Sequence, residues 1–228
     1  MNTTITDIFF DLDHTLWDFD KNSELAFEAI LNQYHPTIEI NAFMGKYIPI
    51  NQACWKLYQN DKISHVELRY NRLKHTFDAL NYAVSDESVN EMADEYIRIL
   101  PDNNYLFDGA IEILEYLKNK YRLHIITNGF ADVQHRKITN SNIGDYFQTI
   151  TNSEMAGVKK PNPIIFEYAL HSANSKKENS IMIGDCLDAD VQGALSAGLD
   201  AIFFNEKKIE AQQNIKQINH LLELKKHL

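Results

Sequence analysis

The chain has 228 residues, 44% of them hydrophobic and 24% charged, enough for one domain of ordinary size or one domain carrying a smaller insertion. This profile excludes a disordered chain, a collagen-like fibre and a disulfide-stapled miniprotein. With 22 basic against 32 acidic residues the formal net charge is −10. Such a surface repels polymeric nucleic acid and anionic membrane, while a small phosphorylated ligand remains compatible with one locally positive pocket.

In chain order, the N-terminal MNTTITD carries no basic stretch followed by an apolar one, so no signal peptide is expected. The first element is a short apolar run at 8–10, which ends at Asp11. Similar runs follow at 123–126 before Thr127, at 181–183 before Gly184 and at 201–204 before Asn205, with a weaker candidate at 148–150. Runs this short, rich in Ile and Phe, read as strands buried on both faces of a parallel sheet. Helical patterns at 110–120, 131–141, 163–172 and 189–197 separate the later ones, with Pro163 suited to a first turn and Gly198 to a stop. Strand alternating with helix predicts an α/β fold built on a Rossmann-like, doubly wound parallel sheet.

A stretch of different character, from about Ser23 to Leu100, follows the first strand. Its apolar residues recur at helical spacing (Leu25, Ala26, Ala29, Ile30; Val66, Leu68, Leu73, Phe77; Val89, Met92, Ala93, Tyr96) and no strand is evident. It reads as a helical insertion. The boundaries are drawn at 18–100 for the insertion, and 1–17 with 101–228 for the α/β core. The tail from Lys207 to Leu228 reads either as one amphipathic helix or as a short edge strand and then a helix. Cys54 and Cys186 form no CxxC pair, so neither a disulfide framework nor a zinc site is expected. No apolar run approaches the roughly 18 residues of a membrane span, and a cytoplasmic location is expected.

Chemistry concentrates where strands end. Asp11 and Asp13 follow the first strand at i and i+2, a spacing that points both carboxylates to one side of an extended segment. Thr127, Asn128 and Gly129 end the second predicted strand, and Gly184 and Asp185 end the run at 181–183, with Asp188 and Asp190 close behind. Lys159 and Lys160 precede Pro161 between them. On adjacent parallel strands these groups share one rim, the edge at which open α/β sheets bind ligands. Clustered carboxylates repel unless a cation is present, and Mg²⁺ suits an oxygen-only site. Beside a lysine and a hydroxyl, such a site suits phosphate chemistry.

DLDHT (11–15), ITN (126–128), KKP (159–161) and GDxxxxD (184–190), in this order and with a helical insertion after the first, resemble the four motifs of the haloacid-dehalogenase (HAD) superfamily. The resemblance implies that Asp11 is a nucleophile forming an aspartyl-phosphate, and that Asp13 is the acid for the leaving oxygen and then the base for water. It implies Mg²⁺ held by the Asp11 carboxylate, the Asp13 carbonyl and the Asp185 carboxylate. Asp190 is expected to hold a metal-bound water or orient Lys160. Thr127 and the Asn128 amide are expected on the phosphoryl oxygens, and Lys160, rather than Lys159, against nucleophile and phosphate. An acid at Asp13 favours phosphoester hydrolysis or phosphoryl transfer over dehalogenation.

The insertion resembles a C1-type cap, which admits a small molecule. DHTLWDFD (13–20), INQACWKLYQNDKIS (50–64) and ITNGF (126–130) are similar to the YjjG-type pyrimidine 5′-nucleotidases, which implies pyrimidine nucleoside 5′-monophosphates as substrate. Trp55 and Tyr58 offer a stacking face and Asn51, Gln59 and Arg72 polar contacts; the alternative is that the two aromatics pack the insertion's own core. Other substrates in view are a sugar phosphate or phosphoglycolate. A phosphomutase resembling β-phosphoglucomutase and a non-catalytic binding module are the remaining readings. His14, on an extended segment, alternates away from the two carboxylates; Cys186 reads as a space-filler, Asp188 as surface, and 107–109 as a turn capping the next helix.

Overall fold

The structure is a computed structural model describing residues 4–210 and 214–228. Strands β1 (Asp7–Phe10), β2 (Arg122–Thr127), β3 (Phe147–Asn152), β4 (Ser180–Gly184), β5 (Asp200–Phe204) and β6 (Gln217–Ile218) form one sheet in the order β3-β2-β1-β4-β5-β6. Every neighbouring pair is parallel. This is the doubly wound order, in which the connections reverse direction beside β1 and open a crevice at the carboxyl edge. The chain divides into two compact units, one of the residues up to Phe19 with Asn104–Leu228, the other of Asp20–Asn103.

Helix α1 (Phe19–Tyr34) leads into the second unit, which continues with α2 (Ile40–Gln59), α3 (His65–Ala79) and α4 (Asp86–Ile99). Ser64 starts α3 with a reciprocal cap: its hydroxyl accepts from the Glu67 N–H while the Glu67 carboxylate accepts from the Ser64 N–H. The unit's core is aromatic. Phe27 stacks on Tyr96 at 4.3 Å and meets Tyr47 edge-on at 4.5 Å. The buried tyrosine hydroxyls satisfy each other and Ser23 in a short chain.

The first unit adds α5 (Ala110–Leu117), α6 (Ala131–Asn140), α7 (Ser153–Ala156), α8 (Pro163–Ser172) and α9 (Gly193–Ala197) to the sheet. Phe9, Met182 and Phe203 turn one way from β1, β4 and β5 into a core with Ile165, Phe166 and Ala169 of α8 and Ala194 of α9. By strand alternation Ile8, Phe10 and Ile183, also fully buried, serve the opposite face. No helix among the described residues is long and apolar enough to cross a membrane.

The weak strand at 148–150 and the strand-then-helix reading of the tail are both present, and two expected helices have other bounds. The weak strand at 148–150 is a six-residue edge strand paired with β2. The helix expected over 110–120 stops at Leu117. The helix expected over 189–197 begins as a π-helical turn, Leu187–Gln192, where the Val191 N–H reaches back five residues to the Cys186 carbonyl, and only then becomes α9. The tail is β6 and a 3₁₀ segment, Leu221–Lys226, in which the fully buried Leu221 and Leu224 share a face because the period is three. Residues 211–213 of that tail lie outside the described residues.

At the amino edge of the sheet the buried Asp7 carboxylate receives Arg122 at 2.8 Å and His124 Nε2 at 3.1 Å. Facing a carboxylate, Nε2 carries the imidazole proton, and Nδ1 then accepts from the Thr149 hydroxyl at 2.9 Å. Burial lowers the His124 pKa from its ordinary 6.5; Asp7 opposes that and Arg122 adds to it. A histidine whose pKa is lowered by folding costs stability as pH falls, because below 6.5 the unfolded chain takes up the proton first. Urea unfolding between pH 7 and 5 should therefore show a steeper stability loss for the native chain than for His124→Gln, by up to about 1.4 kcal/mol per pH unit. Equal slopes would show that His124 titrates as it does unfolded.

Candidate active site

Beyond β1 the backbone folds on itself. The Leu12 carbonyl accepts from the N–H groups of Thr15, Leu16 and Trp17 at 3.3, 3.0 and 2.9 Å, and His14 takes a left-handed φ of 62°. The expected extended run past Asp13 therefore does not form, and alternation does not decide where His14 points. Its ring lies against Phe19 at 4.8 Å.

Lys160 is buried at 2% exposure, while Lys159 stays half-buried. Its ammonium donates to Asp11 Oδ1 at 2.6 Å and to the Ile126 carbonyl of β2 at 2.7 Å, and pairs with Asp190 Oδ1 at 2.6 Å. Two hydrogen bonds and an ion pair with Asp190 thus hold the charge. The Asn128 side chain fixes the lysine's own backbone from both sides, accepting from the Lys160 N–H at 2.7 Å and donating to its carbonyl at 3.0 Å. The Asn128 side chain, expected only beside an amide that helps bind phosphate, thus also holds the lysine loop.

Oxygens of Asp11, Asp185 and Asp190 lie within 4.8 Å of one another. Burial, then the neighbouring carboxylates, push Asp11 up to about 7 even though Lys160 pulls it down. The same causes raise Asp185 well above the carboxylate range. Burial alone would lower Lys160, but Asp11 and Asp190 overcome it and raise the ammonium's pKa. The Thr15 hydroxyl donates to Asp185 at 3.3 Å, and Asp190 accepts from the Cys186 N–H at 2.9 Å. Asp188 is exposed.

A second group of polar side chains adjoins this one. Lys137 of α6, 2% exposed, places its ammonium 2.6 Å from Asp13 Oδ1. Gln134, one turn earlier and equally buried, donates to Asp13 Oδ2 at 2.9 Å and to Thr127 Oγ1 at 2.7 Å. Neither residue was a candidate from sequence. The signal lay in α6 itself: its buried face is Val133, Gln134, Lys137 and Ile138, so polar residues stand where the helical period calls for apolar ones.

The haloacid dehalogenase-like hydrolase family matches residues 7–198. The chain belongs to that family. It is an enzyme, a phosphatase-type hydrolase. It is 32% identical over 212 residues to the pyrimidine 5′-nucleotidase YjjG of Escherichia coli, covering 91% of this chain and 89% of that protein. It is also 32% identical to the glyceraldehyde 3-phosphate phosphatase of Pyrococcus abyssi, over 88% of this chain and 82% of that one. The magnesium-bound crystal structure of the putative HAD-hydrolase YfnB of Bacillus subtilis matches at a TM-score of 0.89 and 26% identity, covering 99% of each chain.

In the helical unit of this hydrolase, Asn51 and Arg72 are both buried and meet at 3.4 Å, with the Arg72 guanidinium 4.8 Å from the Tyr96 ring centre. Trp55 and Tyr58 meet edge-on at 5.6 Å and, like Gln59, are half-buried.

Gly184 ends β4 because the site leaves no room for a side chain. A Cβ there would lie 2.3 Å from Asp190 Oδ2. Gly184→Ala should displace Asp190 from Lys160, lower stability by about 1–3 kcal/mol in urea unfolding and reduce turnover. Native stability and turnover in that variant would show that Asp190 can be moved without consequence.

Proposed function

We propose that the hydrolase is a Mg²⁺-dependent phosphomonoesterase for pyrimidine nucleoside 5′-monophosphates, acting in the cytoplasm through an aspartyl-phosphate. The observation that carries the reaction type is the Asp13 carboxylate, held in place two residues after Asp11. A carboxyl there can protonate a leaving oxygen and later accept a proton from water, which a halide leaving group does not require.

The residues fit a divalent cation. The donor set is all oxygen, and the carboxylates of Asp11, Asp185 and Asp190 stand against the single ammonium of Lys160. Asp11, Asp185 and the Asp13 carbonyl are the proposed ligands; bound Mg²⁺ would polarise the phosphoryl oxygens and offset the charge of the carboxylates. The Asp11 carboxylate attacks phosphorus as the ester P–O bond breaks, and the leaving oxygen takes its proton from Asp13. Water, deprotonated by Asp13, then attacks the acyl-phosphate and frees Asp11 and inorganic phosphate. Lys160 keeps Asp11 oriented and neutralises charge on nucleophile and phosphoryl group, Asp190 holds Lys160, and Thr127 with the Asn128 amide binds phosphoryl oxygens.

Substrate choice is assigned to the helical insertion as a cap, with Trp55 and Tyr58 as the stacking surface; the buried Asn51, bonded to Arg72, is not carried into this role. The likeness to the pyrimidine 5′-nucleotidase supports this reading, and the equal identity to a glyceraldehyde 3-phosphate phosphatase keeps triose and other sugar phosphates in the test. Phosphate release should be strongest on UMP, dUMP and dTMP, weaker on purine monophosphates, phosphoglycolate and sugar phosphates, and abolished by EDTA. Asp11→Asn should fold normally and lose at least about 10³-fold in turnover. Release strongest on a sugar phosphate would overturn the substrate assignment and leave the chemistry standing. Undiminished turnover in Asp11→Asn would overturn the mechanism.

A further inference from the structure

Asp13 and Thr127 come from different strand ends, and α6 ties them together. The two amide protons of Gln134 go to Asp13 Oδ2 and Thr127 Oγ1. With Asp13 ionised, the amide must present its nitrogen, because its oxygen could not face a carboxylate that only accepts. Lys137 takes the other Asp13 oxygen while its ammonium stands 4.3 Å from the centre of the Trp17 ring, which closes one side of it. Both oxygens of Asp13 are therefore engaged and the carboxylate cannot rotate freely. Thr127 Oγ1 also accepts from the Gly129 N–H at 3.1 Å. A hydroxyl has two acceptor positions and one proton; with both acceptor positions filled, Thr127 can only donate to whatever else approaches. Gly129 makes room for this: a Cβ there would lie 2.4 Å from the Gln134 amide carbon and nitrogen.

We propose that Gln134 and Lys137 are positioning residues of the phosphoryl-transfer step, Lys137 aiming the Asp13 carboxyl at the leaving oxygen and Gln134 setting the Thr127 hydroxyl as a donor to the phosphoryl group. The inference rests on the phosphomonoesterase reading above. It assigns the two residues different signatures. Aim at the leaving oxygen matters for a poor leaving group such as an alkoxide and little for 4-nitrophenolate, which departs without a proton. A donor to the phosphoryl oxygens matters for both.

The test is single-turnover release of the alcohol from UMP and from 4-nitrophenyl phosphate by Lys137→Met, Lys137→Arg and Gln134→Met, each checked for native melting behaviour. Lys137→Met should slow UMP cleavage by about 100-fold and 4-nitrophenyl phosphate cleavage by less than about threefold, with Lys137→Arg recovering most of the difference. Gln134→Met should slow both esters by about tenfold or more, since one donor to developing charge is lost. Equal slowing of both esters in Lys137→Met, or no slowing, would overturn the inference. Crystal structures of Lys137→Met and Gln134→Met read placement without turnover: Asp13 and Thr127 unmoved in both would overturn it too, and a rotated Asp13 would support it. Absence of wild-type turnover on every phosphomonoester would count against the reading of function alone, with the crystallographic arm still deciding the inference.

Discussion

The Lys160 ammonium is the contact on which the site is built. A buried ammonium costs several kcal/mol to desolvate unless it is paired and hydrogen-bonded, and here it donates to a carboxylate after β1 and a carbonyl of β2 and forms an ion pair with a carboxylate from the turn after β4. Removing either carboxylate would leave a charge buried with less than its full complement, a change that typically costs about 3–5 kcal/mol. The requirement spreads outward from there. Asn128 must grip the Lys160 backbone, Gly184 must lack a side chain so that Asp190 can reach in, and the chain after Cys186 must open into a π-helical turn that carries Asp190 inward.

The sheet order explains why residues so distant in sequence can meet this requirement. With β1 central and β2 and β4 on either side, all parallel, the residues just past each strand emerge at the same edge. The carboxyl ends of three neighbouring strands, about 4.8 Å apart, are close enough for one ammonium to bridge them. The helix after β2 returns along the sheet and brings Gln134 and Lys137 to the same place by a second route. Four carboxylates (Asp11, Asp13, Asp185, Asp190) then face two ammonium groups, and the excess of negative charge is what makes a divalent cation chemically suited to the site.

Much of this was legible before folding was considered. A buried parallel strand must be apolar along its length, so the residue at which Ile and Phe give way to Asp, Thr or Gly marks the functional edge; Asp11, Thr127 and Asp185 stood out for that reason. The turns beyond the strands were not legible in the same way. The compact loop around the Leu12 carbonyl defeats an alternation argument made for extended chain, and His14 takes a backbone conformation that no periodicity announces. The start of the helix expected at 189 is displaced by a single carboxylate turning inward. Gln134 and Lys137 are not legible from sequence because a polar residue on an amphipathic helix reads as solvent-facing, and only the partners on other elements make these two buried.

Residues of the helical unit separate on the same ground. The buried stripe of α2 starts with the adjacent Phe43 and Met44 and continues through Tyr47, Asn51 and Cys54 at three- or four-residue steps, so Asn51 lies on it. It accepts from Arg72 inside the unit, with Arg72 also over the Tyr96 ring, so both polar groups are engaged in the packing of the four helices. Trp55 and Tyr58 sit off that stripe and keep part of their surface exposed. A side chain can offer a face to a ligand only where the protein's own core has not already covered it. Substitution of Asn51 or Arg72 must disturb the core of the unit whatever else it does, whereas Trp55 and Tyr58 keep aromatic surface that this core leaves uncovered.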